Sequence, residues 1–85
     1  MKYTVVWKPA AERQLARLWT GAPDAAAIAA AADKIDALLK RNPWNQGESR
    51  SATRRVTIER PLVAFFEISE ADKLVEVLHV RKIGT

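Results

Sequence analysis

The side chains in this sequence best suited to chemistry are basic and gather toward its C-terminal third. Arg50, Arg54, Arg55 and Arg60 surround one short strand-like run, and His79, Arg81 and Lys82 stand close together on the last one. Guanidinium and ammonium groups stabilise charge on phosphodiester oxygens, and an imidazole can exchange a proton with the attacking or leaving oxygen. Arg55, His79, Arg81 and Lys82 are therefore the candidate catalytic set. Arg50, Arg54 and Arg60 are candidate contacts to a nucleic-acid backbone. The plainer reading is a solvated strand face whose charge keeps a sheet edge from self-association. For His79, flanked by Leu78 and Val80, it is a half-buried ring with a backbone partner.

Other chemistries lack their residues. With no cysteine and one histidine there is no thiolate nucleophile and no multi-ligand zinc site, and no carboxylate spacing resembles a calcium loop. The three glycines are too scattered for a phosphate-binding loop, and no serine sits in a nucleophile elbow. The expectation is a site with neither metal nor cofactor. The 14 Lys and Arg against 10 Asp and Glu leave a formal charge of +4, which suits a partner that is RNA, DNA or acidic protein.

At 85 residues the chain is expected to form a single domain over 1–85, because either half alone would be too short to bury a useful core. No apolar stretch reaches the roughly 20 residues that span a bilayer. The start, Met1-Lys2-Tyr3-Thr4, is strand-like and lacks the apolar core of a signal peptide. A cytoplasmic protein without membrane contact is expected.

The elements that must position the basic residues follow from periodicity and breakers. Tyr3, Val5 and Trp7 alternate with Lys2, Thr4 and Val6, a strand pattern ended by Pro9. Pro9 also suits a first helical position, and Ala11, Leu15, Leu18 and Trp19 form an apolar face before the stop at Gly21. Pro23 and Asp24 open a second helix, with Ile28, Ala31 or Ala32, Ile35, Leu38 and Leu39 at helical spacing until Asn42-Pro43 breaks it. Its alanine run permits close packing of a helical hairpin. A polar loop follows, with Trp44 expected to pack back onto the helices.

Three strands complete the order β-α-α-β-β-β. In the first of them Val56 and Ile58 alternate with Arg55, Thr57 and Glu59, which gives one wet face. Leu62 to Ile68 is apolar on both faces, as in a central strand. After a turn at Ser69 to Asp72, Leu74 to Ile83 places Val75 and Val77 on one face with His79 and Arg81 by strict alternation.

The whole pattern resembles the RelE/ParE toxin superfamily of type II toxin–antitoxin systems. The carriers are Tyr3-Thr4-Val5-Val6-Trp7, the helix start at Pro9 to Leu15, the helix end Leu38 to Pro43, and the runs Pro61 to Ile68 and Val75 to Val80. The resemblance implies an α+β fold in which a helical hairpin packs on a small, mainly antiparallel, curved sheet. It implies a cognate antitoxin as partner. It also implies a ribosome-dependent endoribonuclease cutting mRNA in the A site without a metal, or an inhibitor of DNA gyrase. The family's second-strand cation maps onto Arg55, its third-strand arginine position holds Leu62-Val63, and the arginine that follows its last strand falls near Ile83, leaving Arg81 and Lys82 as shifted replacements. The alternative is a catalytically degenerate member whose basic surface binds RNA or protein.

Overall fold

The computed structural model describes residues 2–83; Met1, Gly84 and Thr85, the ends of the expected 1–85 domain, lie outside the described residues. The chain runs β1 (Thr4–Trp7), α1 (Pro9–Trp19), α2 (Ala25–Arg41), a 3₁₀ turn at Pro43–Asn45, β2 (Glu48–Ser49), β3 (Arg54–Glu59), β4 (Leu62–Ser69) and β5 (Leu74–Lys82). The strands form one sheet in the order β1-β5-β4-β3-β2, with β1 parallel to β5 and the other pairs antiparallel. This is the expected α+β order, with the two-residue β2 added at one edge.

Both helices pack on one face of the sheet. Ala11 of α1 and Ile28, Ala31, Ala32, Ile35 and Leu39 of α2 meet Leu62, Ala64, Phe66 and Ile68 of β4 and Val75, Val77 and Val80 of β5 in a single core. Small residues on α2 let it approach the sheet, as alanine's short side chain allows. Pro9 stands at the start of α1, Glu12 lies in its first turn, and Asp36 pairs with Lys40 one turn on at 2.9 Å. Asp24 occupies the N-cap of α2, yet its carboxylate makes no capping bond and instead meets Lys82. Trp44 packs against the core, and its indole N–H joins Tyr3 and Lys73 in binding the Glu70 carboxylate. Trp19, expected in the apolar face of α1, is 51% exposed.

Two strand phases differ from the sequence reading. In β5 a bulge shifts the register, so that Phe66 faces Val77, Phe65 faces His79, and Leu78 is the extra residue. Val75 and Val77 are buried, Val80 is buried after the bulge, and His79 and Arg81 are exposed. Strict alternation is thus broken, and His79 and Arg81 leave the face that carries the valines. In β3 it is Arg55, Thr57 and Glu59 that oppose Phe66, Ala64 and Leu62 on the helix-covered face, while Val56 and Ile58 lie on the open one. The apolar members of β3 look away from the core because β4 sets the phase, and its buried set is the even-numbered one.

Candidate functional site on the open sheet face

Residues directly opposite on adjacent strands share a face, so register builds the site. Across β3, β4 and β5 the open face carries the rows Val56, Phe65, His79 and Ile58, Val63, Arg81. The Arg81 guanidinium lies 5.5 Å from the Phe65 ring centre, and the His79 ring lies 5.6 Å from it at a 53° tilt. Phe65 is therefore an aromatic floor between a cation and an imidazole. Two shallow grooves of about 500 and 430 Å³ run side by side here and share Arg50, Phe65 and Arg81. Glycine at position 47 allows the loop bearing Arg50 to turn in: its φ is +63°, and a Cβ there would collide with the Val56 carbonyl.

The electrostatics of this face are set by which cations are already paired. Arg54 Nε donates to Glu67 Oε1 at 2.9 Å across the strands. Among the described residues Arg50 and Arg81 make no ion pair, so an incoming anion meets both without displacing a carboxylate. Ile58, 59% exposed, extends the basic cluster with an apolar shoulder.

The remaining candidates lie elsewhere. Arg55 borders one groove, but it sits opposite the fully buried Phe66, and its guanidinium donates to the Gln46 and Gly47 carbonyls at 2.9 and 3.0 Å. Its charge ties the loop to β3 on the helix-covered side of the sheet. Lys82 opposes Leu62 on that same side and meets Asp24 at 2.9 Å; this hydrogen bond holds the Asp24 carboxyl below its ordinary range. Arg60 is exposed at the β3–β4 turn, outside both grooves. Of the residues proposed from sequence, the structure thus gathers Arg50, Arg54, His79 and Arg81 on one open surface.

Sequence reasoning missed Gln14. β1 leaves β5 after Trp7 pairs with Val77, and Gln14 of α1 covers the next stretch of that edge. Its Oε1 accepts the Val80 N–H at 2.8 Å and its Nε2 lies 2.7 Å from His79 Nδ1. No local signal marks this contact, since the two residues are 65 positions apart.

A third groove, of about 550 Å³, lies between α1, α2 and the end of β1. Trp7, Leu15, Ala16, Trp19, Ala29 and Ala32 give it apolar walls, and Glu12, Asp33 and Asp36 an acidic rim.

No protein-family model and no curated protein matches the chain. Solved structures do. A chain of the toxin–antitoxin complex RelBE2 from Mycobacterium tuberculosis is similar with a TM-score of 0.80 at 20% identity, over 100% of this chain and 95% of that one. A chain of the chromosomal ParDE system from P. aeruginosa is similar with a TM-score of 0.74 at 18% identity, over 98% of each. The fold is the RelE/ParE fold, as the resemblance implied.

Proposed function

We propose that this protein is the toxin of a type II toxin–antitoxin system and that its open sheet face cleaves mRNA on the ribosome. The observation that carries this is the pair of guanidiniums, Arg50 and Arg81, that make no ion pair among the described residues and share their grooves with Phe65 on the face that also bears His79. Two guanidiniums can neutralise the non-bridging oxygens of a scissile phosphate, an aromatic ring can stack an adjacent base, and His79 stands beside both. Arg54, already bound to Glu67, suits backbone contact more than charge stabilisation. The test is primer extension on mRNA from a translating extract. New cuts at A-site codons on adding the protein support the reading, and their absence at saturating protein overturns it.

A second reading, inhibition of DNA gyrase by binding, is favoured by the apolar stripe Val56, Ile58 and Val63. Val63 puts a valine where the resemblance places a cation, and the exposed Ile58 beside the partly exposed Val63, with Val56 buried beneath, gives an apolar patch that suits a protein surface. Inhibited supercoiling of relaxed plasmid with no mRNA cleavage is its signature.

The antitoxin completes the proposal. The acidic rim of the α1–α2 groove contrasts with the overall positive charge, so the groove suits an amphipathic segment with basic residues around an apolar anchor. A Trp19→Asp variant should fail to retain the product of a short adjoining reading frame while its cleavage is unchanged.

A further inference from the structure

His79 is the one imidazole on the open face, which it shares with the Glu48 carboxylate opposite Val56, and its immediate neighbour decides which way its acid–base capacity runs. The backbone N–H of Val80 can only donate, so the Gln14 atom 2.8 Å from it must be the carbonyl oxygen. That fixes the amide: the NH₂ end is the one 2.7 Å from His79 Nδ1. An NH₂ group can only donate, so Nδ1 must carry its lone pair and the ring proton must sit on Nε2. Flipping the amide would set two donors against each other at Val80. The bulge at Leu78 and the departure of β1 create this arrangement, since together they leave the Val80 N–H unpaired by a strand and turn His79 outward.

We infer that Gln14 is a positioning residue that locks His79 as the Nε2–H tautomer, so that the ring serves the open face as a hydrogen-bond donor to a phosphate oxygen rather than as the general base. In this state Nε2 has no lone pair with which to take a proton from an attacking hydroxyl. Nδ1, which has one, is turned toward Gln14. A neutral imidazole held in this way acts as an electrophile, polarising an oxygen that gains charge in the transition state. With Arg81 5.5 Å from the Phe65 ring centre, the ring N–H and the guanidinium are donors on one face, whose carboxylates are Glu67, bound by Arg54, and Glu48 at the groove's margin. The role assigned to His79 rests on the phosphodiester reading above; the tautomer does not.

The chain has one histidine, so its imidazole nitrogens can be observed by ¹⁵N-detected or long-range ¹H–¹⁵N NMR without ambiguity. The neutral ring should show Nε2 protonated and Nδ1 bare. Gln14→Glu keeps an oxygen for the Val80 N–H and offers another to Nδ1, so it should invert the pattern to Nδ1–H; Gln14→Leu should give a mixture. A wild-type ring protonated on Nδ1 would overturn the inference and leave the cleavage reading standing.

The role is tested separately with a short single-stranded RNA oligonucleotide. His79→Gln, whose amide can place a donor near the Nε2 position, should keep affinity and any cleavage rate within about threefold, whereas His79→Ala should lose roughly tenfold for the missing charged hydrogen bond. Equal, large losses in cleavage for Gln and Ala, with RNA affinity retained, would identify a general base and overturn the donor role. Absence of RNA binding by the wild type would overturn the phosphodiester reading while leaving the tautomer result intact.

Discussion

The two faces of this sheet carry similar chemistry to opposite ends. On the helix-covered face Leu62, Ala64, Phe66 and Ile68 form the core, and the cations at its margins, Arg55 and Lys82, are consumed by backbone carbonyls and by Asp24. On the open face Val63 and Phe65 alternate with those same residues along the same strand, and the nearby cations Arg50 and Arg81 are unpaired among the described residues. A cation with its hydrogen bonds satisfied inside the protein has little left to offer a ligand, whereas an unpaired one keeps its full field for an anion. Position in sequence, or mere basicity, does not separate Arg81 from its neighbour Lys82; strand phase does.

The contrast is broken most strongly at the adjacent phenylalanines. Phe66→Ala should cost about 3–5 kcal/mol, because it opens a cavity in a fully buried site. Phe65→Ala should cost less than about 1.5 kcal/mol and instead weaken RNA binding, stacking being worth about 1–3 kcal/mol per base. Urea unfolding of both, with oligonucleotide titration of the second, checks this. Comparable unfolding penalties would show that the open face is part of the core.

Next in size is Arg55→Ala. Losing two hydrogen bonds from a charged donor to the loop carbonyls should destabilise by about 1–3 kcal/mol. RNA affinity of the folded protein should change little, measurable by urea unfolding and by oligonucleotide titration below the transition. Arg50→Ala should do the reverse: stability within about 0.5 kcal/mol of wild type, and a log–log salt slope of RNA binding reduced by about one unit, as expected when one phosphate contact is removed.

The smallest effect concerns the Lys82–Asp24 bond. A carboxyl held below its ordinary range adds stability above its unfolded value of about 3.9 and loses it as pH falls through the folded value. Both partners are exposed, so the loss should be slight. In thermal unfolding between neutral and strongly acidic pH, Asp24→Asn should remove this part of the acid sensitivity and leave activity unchanged.

These contrasts also mark how far the sequence could be read. The element order was legible because its punctuation is strong: Pro9 opens α1, Asn42-Pro43 closes α2, and Pro61 separates β3 from β4. The two-residue β2 carries too little pattern to find. The phase of β3 was unreadable locally because its apolar residues, Val56 and Ile58, belong to the open face; only pairing with β4 reveals that Arg55 turns toward the helices. The bulge left a usable trace in the adjacent Val77-Leu78 followed by buried Val80, a break in period two just before His79. Trp19 fits helical spacing but lies at the rim of a groove. Gln14 was out of reach, since its role depends on where β1 leaves β5.

The most direct test of the whole account compares Arg81→Ala with Arg55→Ala for mRNA cleavage in a translating extract, each assayed below its unfolding transition. Arg81→Ala should lose about 10²–10³-fold in rate, the usual effect of removing one transition-state donor, while Arg55→Ala keeps its rate per folded molecule. A loss at Arg55 equal to or larger than that at Arg81 would contradict the assignment of function to the open face.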